Sequence, residues 1–229
     1  MNKSKNIKGN AIVIVLVAIA LLAALTFAVT QNSGGSHKAL SSEQAVLNAT
    51  EIISYGSTLK DKIEQLALLE GISDINTGGN GVLFSHSKAD TAYGTPDTQP
   101  ATEIFNPLGG QITYKLPRLK ICLGTCAYEF SGQYAISGIG SSKPELAMLL
   151  IDIDENLCKA LNKTLGNGWT AVPQEDTLIA LTRFNGINYS GTPIAITGAS
   201  NEFLGKKSFC YQESGGGKRY IYVHVLRQR

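Results

Sequence analysis

The sequence predicts an α+β protein led by a single transmembrane helix, and three observations carry that prediction. An unbroken apolar run occupies Ala11 to Val29, two later stretches place apolar residues at helical spacing, and the middle and final third alternate apolar with polar residues. The chain has 229 residues, enough for one membrane anchor and one globular domain of ordinary size. The expected divisions are a basic leader at 1–9, a transmembrane helix at 10–30, a hinge at 31–40 and an extracytoplasmic α+β domain at 41–229.

Residues 11–29 contain one polar member, Thr26. At 1.5 Å per residue this run extends roughly 28 Å, close to the hydrocarbon thickness of a bilayer. Lys3, Lys5 and Lys8 precede it, and the residues from Gln31 to Ser36 carry no charge. The positive-inside bias therefore predicts an inner-membrane, single-pass protein, with its N-terminus cytoplasmic and its C-terminal domain periplasmic or extracellular. The lipid bilayer is then its first partner. A cleaved secretory signal is the rival reading, with Thr26-Phe27-Ala28 as a small-x-small cleavage site, but signal cores run about 7 to 15 residues. Ala18, Ala20, Ala23 and Ala24 are small enough for close helix approach, a feature an ordinary lipid-facing helix shares.

Composition supports a packed outer domain: 43% of residues are apolar and 17% charged. The 20 Lys plus Arg against 18 Asp plus Glu include the three leading lysines, so the remainder is near neutral. Nucleic acid is excluded as a partner, because it requires clustered basic residues.

After the polar stretch at 31–37, Ser41 or Ser42 caps a helix whose apolar stripe is Ile52, Leu59, Ile63 and Leu66, with Gly71 closing it. From Asp74 to Pro107 the chain reads as a long loop with one short strand near Val82 to Phe84. Ile112, Tyr114 and Leu116, then Tyr128, Phe130, Tyr134 and Ile136, predict strands in an antiparallel meander. Leu146, Leu149, Leu150, Ile153, Leu157, Leu161 and Leu165 predict a second helix, with Ser142 and Glu145 as a capping box and Gly166 as its end. Strands are expected at 177–182, 194–197 and 220–226, with a turn at Asn185-Gly186.

Four cysteines, Cys122, Cys126, Cys158 and Cys210, all follow the apolar run. An even count in an exported domain fits two disulfides, for which three pairings exist. The pairing favoured here joins Cys122 to Cys126 in a small loop and Cys158 to Cys210 as a staple between helix and strand. Zinc is disfavoured, since His37, His86 and His224 are scattered and C-x3-C has no second close pair.

A basic leader ending in Lys8-Gly9, followed at once by an apolar helix, resembles the type IV pilins and the pseudopilins of type II secretion. The resemblance implies cleavage after Gly9 by a prepilin peptidase. It also implies an amphipathic helix packed on an antiparallel sheet, a disulfide bounding a C-terminal loop similar to Cys158–Cys210, and other pilin-like subunits as partners. It departs from the family at the fifth position after the cut, where Ile14 replaces the usual glutamate, at Asn10, and at Gly34-Gly35. The function so implied is a membrane-anchored structural subunit, a minor pilin or pseudopilin. The alternative is an extracytoplasmic module that holds a ligand or partner with the 74–107 loop or the stapled C-terminal region.

No catalytic, cofactor or metal constellation is expected. Ser57 to Lys60 matches S-x-x-K without that mechanism's other motifs. Asp152 and Asp154, read as helical, point about 200° apart and cannot chelate together, and Glu155 belongs with them to a solvated face. Gly138-Ile139-Gly140 lacks the rest of a dinucleotide fingerprint. His224 reads as a cross-strand packing or surface residue. Asn48, Asn162 and Asn188 begin glycosylation tripeptides, a pattern short enough to arise by chance.

Overall fold

A computed structural model describes residues 14–23, 41–73, 81–118, 121–176, 182–186, 193–215 and 217–229. The chain divides into two compact units, Met1–Lys38 and Ala39–Arg229. In the first, the described residues 14–23 are helical (α1), with their side chains exposed. Among the described residues no helix is long and apolar enough to cross a membrane. Single-pass inner-membrane anchoring is corrected on that ground. Lys3, Lys5, Lys8 and Gly9, and the remainder of the expected span, lie outside the described residues.

The second unit opens with helix α2, Ser42–Leu69. Ser41 caps it, its hydroxyl accepting from the Gln44 amide at 3.3 Å. Its buried face includes Ala45, Ala49, Ile52, Leu59, Ile63 and Leu66, one stripe at helical spacing. The helix ends where Gly71 takes φ +64°, a left-handed conformation that glycine adopts without strain.

Six strands form one sheet. They are β1 (Tyr128–Ile136), β2 (Glu145–Ile153), β3 (Gln174–Glu175), β4 (Ile194–Ile196), β5 (Ser208–Glu213) and β6 (Tyr220–Arg227), in the order β3-β5-β6-β2-β1-β4. The four central strands pair antiparallel, whereas β4 joins β1 and β3 joins β5 in parallel. The sheet is therefore mixed and curls toward closure. The Glu175 carboxylate at one edge accepts from the amides of Thr197 and Gly198, just past the other edge, at 3.0 and 2.8 Å.

Both faces of the sheet are buried. Alternate residues of β2 and β6, Met148, Leu150, Tyr222 and Leu226, join a core shared with α2 and helix α3 (Glu155–Thr164). The intervening residues, Ala147, Leu149, Ile221, Val223 and Val225, enclose an inner core plugged by Phe203, whose ring stacks on Phe209 at 4.3 Å. The helix approaches the sheet at Gly56, where a Cβ would stand 2.9 Å from the His224 ring.

This architecture corrects the expected one. The described chain is a mixed, barrel-like six-stranded sheet, and the pilin-like arrangement of an N-terminal helix on an antiparallel sheet is not what it forms. The predicted second helix from Leu146 to Leu165 is strand β2 followed by the shorter α3, with Asp154 as the cap whose carboxylate accepts from the Asn156 amide at 2.8 Å. A strand covered on both faces carries a continuous apolar run, and such a run contains helical spacings as readily as alternating ones. Residues 112–116 are not a strand either. Their alternation is that of an extended segment whose hydrogen bonds go singly to different elements: the Ile112 amide reaches the Ile104 carbonyl, and the Lys115 amide reaches the Tyr55 hydroxyl.

Both disulfides are formed. Cys122 is bonded to Cys126, and Cys158 to Cys210 across 52 residues. The second bridge has a hydrogen-bonded neighbour. The Asn162 side chain accepts from the Cys210 amide and donates to its carbonyl, both at 2.8 Å. Strand β3 pairs only with residues 212 and 213 of β5, and Asn162 takes the place of a strand partner where that pairing has ended.

Candidate functional site

The long polar segment following α2 builds a groove. Its backbone is held by a relay of single bonds: the Leu83 amide to the Thr102 carbonyl, Ile104 to Leu83, Gly110 to Glu103 and Ile112 to Ile104, at 2.9–3.2 Å. Three segments thus lie side by side without forming a regular sheet. Gly109 and Gly110 make the approach possible, because a Cβ on Gly110 would stand 2.2 Å from the Ile104 carbonyl oxygen.

Between these segments is a cavity of about 750 Å³, lined by residues 85–88, 96–97, 103, 105–107 and 111–114, a size typical of small-molecule sites. One wall is aromatic. The His86 and Tyr114 rings stack at 3.8 Å with an interplanar angle of 17°, and Phe105 meets both edge-on at 6.1 and 5.1 Å. The His86 Nδ1 lies 3.1 Å from the Phe84 carbonyl. A carbonyl only accepts, so Nδ1 carries a proton and donates to it.

The opposite wall is polar and rigid. Glu103, 1% exposed, accepts from the amides of Asp97 and Gln99 and from the Asn106 side chain at 3.1, 3.3 and 2.9 Å. Asn106 also donates to an Asp97 carboxylate oxygen at 3.1 Å, while Asp97 itself holds φ +66°, an uncommon conformation stabilised by the surrounding bonds. Lys88 lines the same cavity, and so does Ser85, which is buried with its hydroxyl unpaired.

Behind the aromatic wall the groove rests on a second charged cluster. Arg183 grips Glu129 through two bonds, Nε to Oε2 at 2.8 Å and Nη2 to Oε1 at 2.9 Å. The Tyr93 hydroxyl donates to Glu129 and accepts from the Phe130 amide at 3.1 Å. Burial, then the hydrogen bond to Glu129, holds the Tyr93 phenol well above its ordinary pKa, and Glu129 raises that of Arg183. Tyr55, which tethers the 111–118 segment to α2, is pushed up to about 12, mainly by burial.

The residues singled out in the sequence fall elsewhere. Lys60 of the S-x-x-K match pairs with Glu64 at 3.7 Å on the surface of α2. Asp152 sits in β2 rather than on a helix, Asp154 caps α3, and Glu155 pairs with Lys159 at 2.6 Å. Among the described residues no group of three His, Cys, Asp or Glu is placed to hold a metal ion. Gly138 and Gly140 turn the chain from β1 to β2 with positive φ. Asn48 and Asn162 are buried, which denies both to a glycosylating enzyme, and Asn188 lies outside the described residues. His224 faces Ser208 across the β5–β6 ladder, and its Nδ1 lies 2.9 Å from the Ser208 hydroxyl and 3.0 Å from that of Tyr222.

The expected 74–107 loop supplies part of the groove, whereas its 111–114 wall was read as strand and the residues that furnish the groove were not singled out. His86 and Tyr114 share no periodic relation, and Glu103 looked like any loop carboxylate. A glutamate among glycines and prolines, with the loop amides of Asp97 and Gln99 upstream needing acceptors, was the one available signal. No protein family, curated protein or solved structure matches the chain.

Proposed function

We propose that residues 41–229 form a disulfide-stapled binding module that holds a small ligand in the groove between residues 85–88, 96–107 and 111–114, without acting on it chemically. The observation that carries this reading is the union in one cavity of a stacked aromatic wall and a polar wall braced by the buried Glu103. Ordering that backbone costs about 1–2 kcal/mol per residue, which the three bonds to Glu103 help to offset. An ordered groove of this kind is pre-organised for a partner. The two disulfides favour maturation where thiols oxidise.

The test is a fragment library screened against the full-length, oxidised chain by ¹H–¹⁵N correlation spectroscopy. Amide shifts concentrated in the three groove segments are expected. Shifts confined to other surfaces, or none at millimolar fragment, would defeat the reading.

A further inference from the structure

We propose that the ligand is a saccharide, bound with the face of a pyranose ring on the aromatic wall and its hydroxyls toward Asp97 and Ser85; this rests on the groove being a binding site at all. The chemistry of the lining points there. A pyranose presents a patch of C–H groups on one face and a rim of hydroxyls that both donate and accept. The Tyr114–His86 stack supplies a flat apolar surface. The rim would meet the Asp97 oxygen left free by Asn106, the Lys88 ammonium, and hydroxyls able to serve either role.

Ser85 adds an independent indication. It is 2% exposed, lines the cavity, and its hydroxyl has no hydrogen-bond partner. A buried hydroxyl without a partner costs about 1–3 kcal/mol, a cost that a ligand hydroxyl reached by rotation about χ1 would remove. Competing ligand classes fit less well. A phosphate would find one cation, Lys88. A quaternary amine would find Asp97 and the aromatic face but also Lys88 opposing it, with the Glu103 oxygens already engaged by three donors, and it would leave the Ser85 hydroxyl without a partner. A purely apolar ligand would leave Ser85, Asp97 and Thr113 desolvated without partners.

The experiment titrates the full-length oxidised chain with cellobiose, maltose and N,N′-diacetylchitobiose, and in parallel with choline and the fragment hits, following the groove amides. At least one disaccharide is expected to shift them, with Tyr114→Leu and Asp97→Asn each weakening it about tenfold. Tyr114→Leu keeps apolar bulk without a π face, and asparagine tolerates the positive φ at residue 97, so the amide resonances outside the groove should be unchanged in both. Choline or fragments shifting the groove while all three disaccharides leave it unmoved would overturn the saccharide assignment and leave the binding site standing. Silence from every probe would overturn both. Disaccharide shifts that survive both substitutions would overturn the proposed pose.

Discussion

Acidification from about pH 7 to about pH 5 protonates a solvated imidazole, yet His224 resists it. The ring is packed under Gly56 of α2, beside Met148, with Ser208 and Tyr222 at Nδ1. Burial and then the Lys60 charge bring its pKa down from 6.5 to about 4. On acidification the unfolded chain therefore takes up a proton before the folded chain does. Stability is full above the ordinary histidine pKa, falls as pH drops toward about 4, and levels off below it. Linkage gives a loss of about 2 kcal/mol between pH 7 and pH 5, and roughly 3 kcal/mol over the whole window. The perturbation is His224→Asn, which keeps an acceptor near the Nδ1 position and removes the titration. Urea unfolding of the oxidised chain at matched ionic strength, at several pH values, reads the effect. The wild type is expected to lose about 2 kcal/mol more than the variant across this interval. Equal slopes for the two proteins would refute the argument from burial.

Other substitutions probe the packing. Gly56→Ala gains about 1 kcal/mol of helix propensity but drives a methyl to within 2.9 Å of the His224 ring, so a net loss of about 1–2 kcal/mol is expected by urea denaturation. Asn162→Ala strands both backbone groups of Cys210 in the core and should cost about 2–4 kcal/mol in the same assay, with the disulfide still formed by mass spectrometry. Gly110→Ala forces a Cβ against the Ile104 carbonyl, 2.2 Å away. It should cost at least about 3 kcal/mol and abolish fragment binding in the groove.

Helix α2 and strand β6 were legible in the sequence, for different reasons. Helix α2 shows its stripe because the opposite side, with Lys60, Asp61 and Glu64, is solvated. Strand β6 was visible because Tyr220 to Leu226 is bounded by turns and rich in β-branched and aromatic residues. Strand β2, covered on both faces like β6 but built mostly of Leu, Met and Ala, was misread. Leu146, Met148 and Leu150 face the helices while Ala147 and Leu149 face the inner core, and the polar half of the pattern is missing. The parallel edge pairings of β3 and β4 span two and three residues, too few to leave a period.

The groove was legible only as a long polar segment, since its geometry comes from bonds between loop residues that no regular spacing records. The Cys122–Cys126 and Cys158–Cys210 pairing is found as favoured from the sequence. The resemblance to pilins rested on residues 1–9 and the apolar run, and the described fold beyond them follows a different plan. One residue type was informative in hindsight. The paired glycines at 109 and 110 mark where one backbone passes under another, and they are also where the groove closes.

The most direct measurement is a crystal structure of the oxidised chain soaked with the disaccharide or fragment that shifts the groove amides. The account predicts ligand density against the Tyr114 ring, within hydrogen-bonding distance of Asp97 and Ser85, with the Glu103 bonds unchanged. Density on another surface, or a groove filled by the 111–114 segment collapsed onto Phe105, would contradict it.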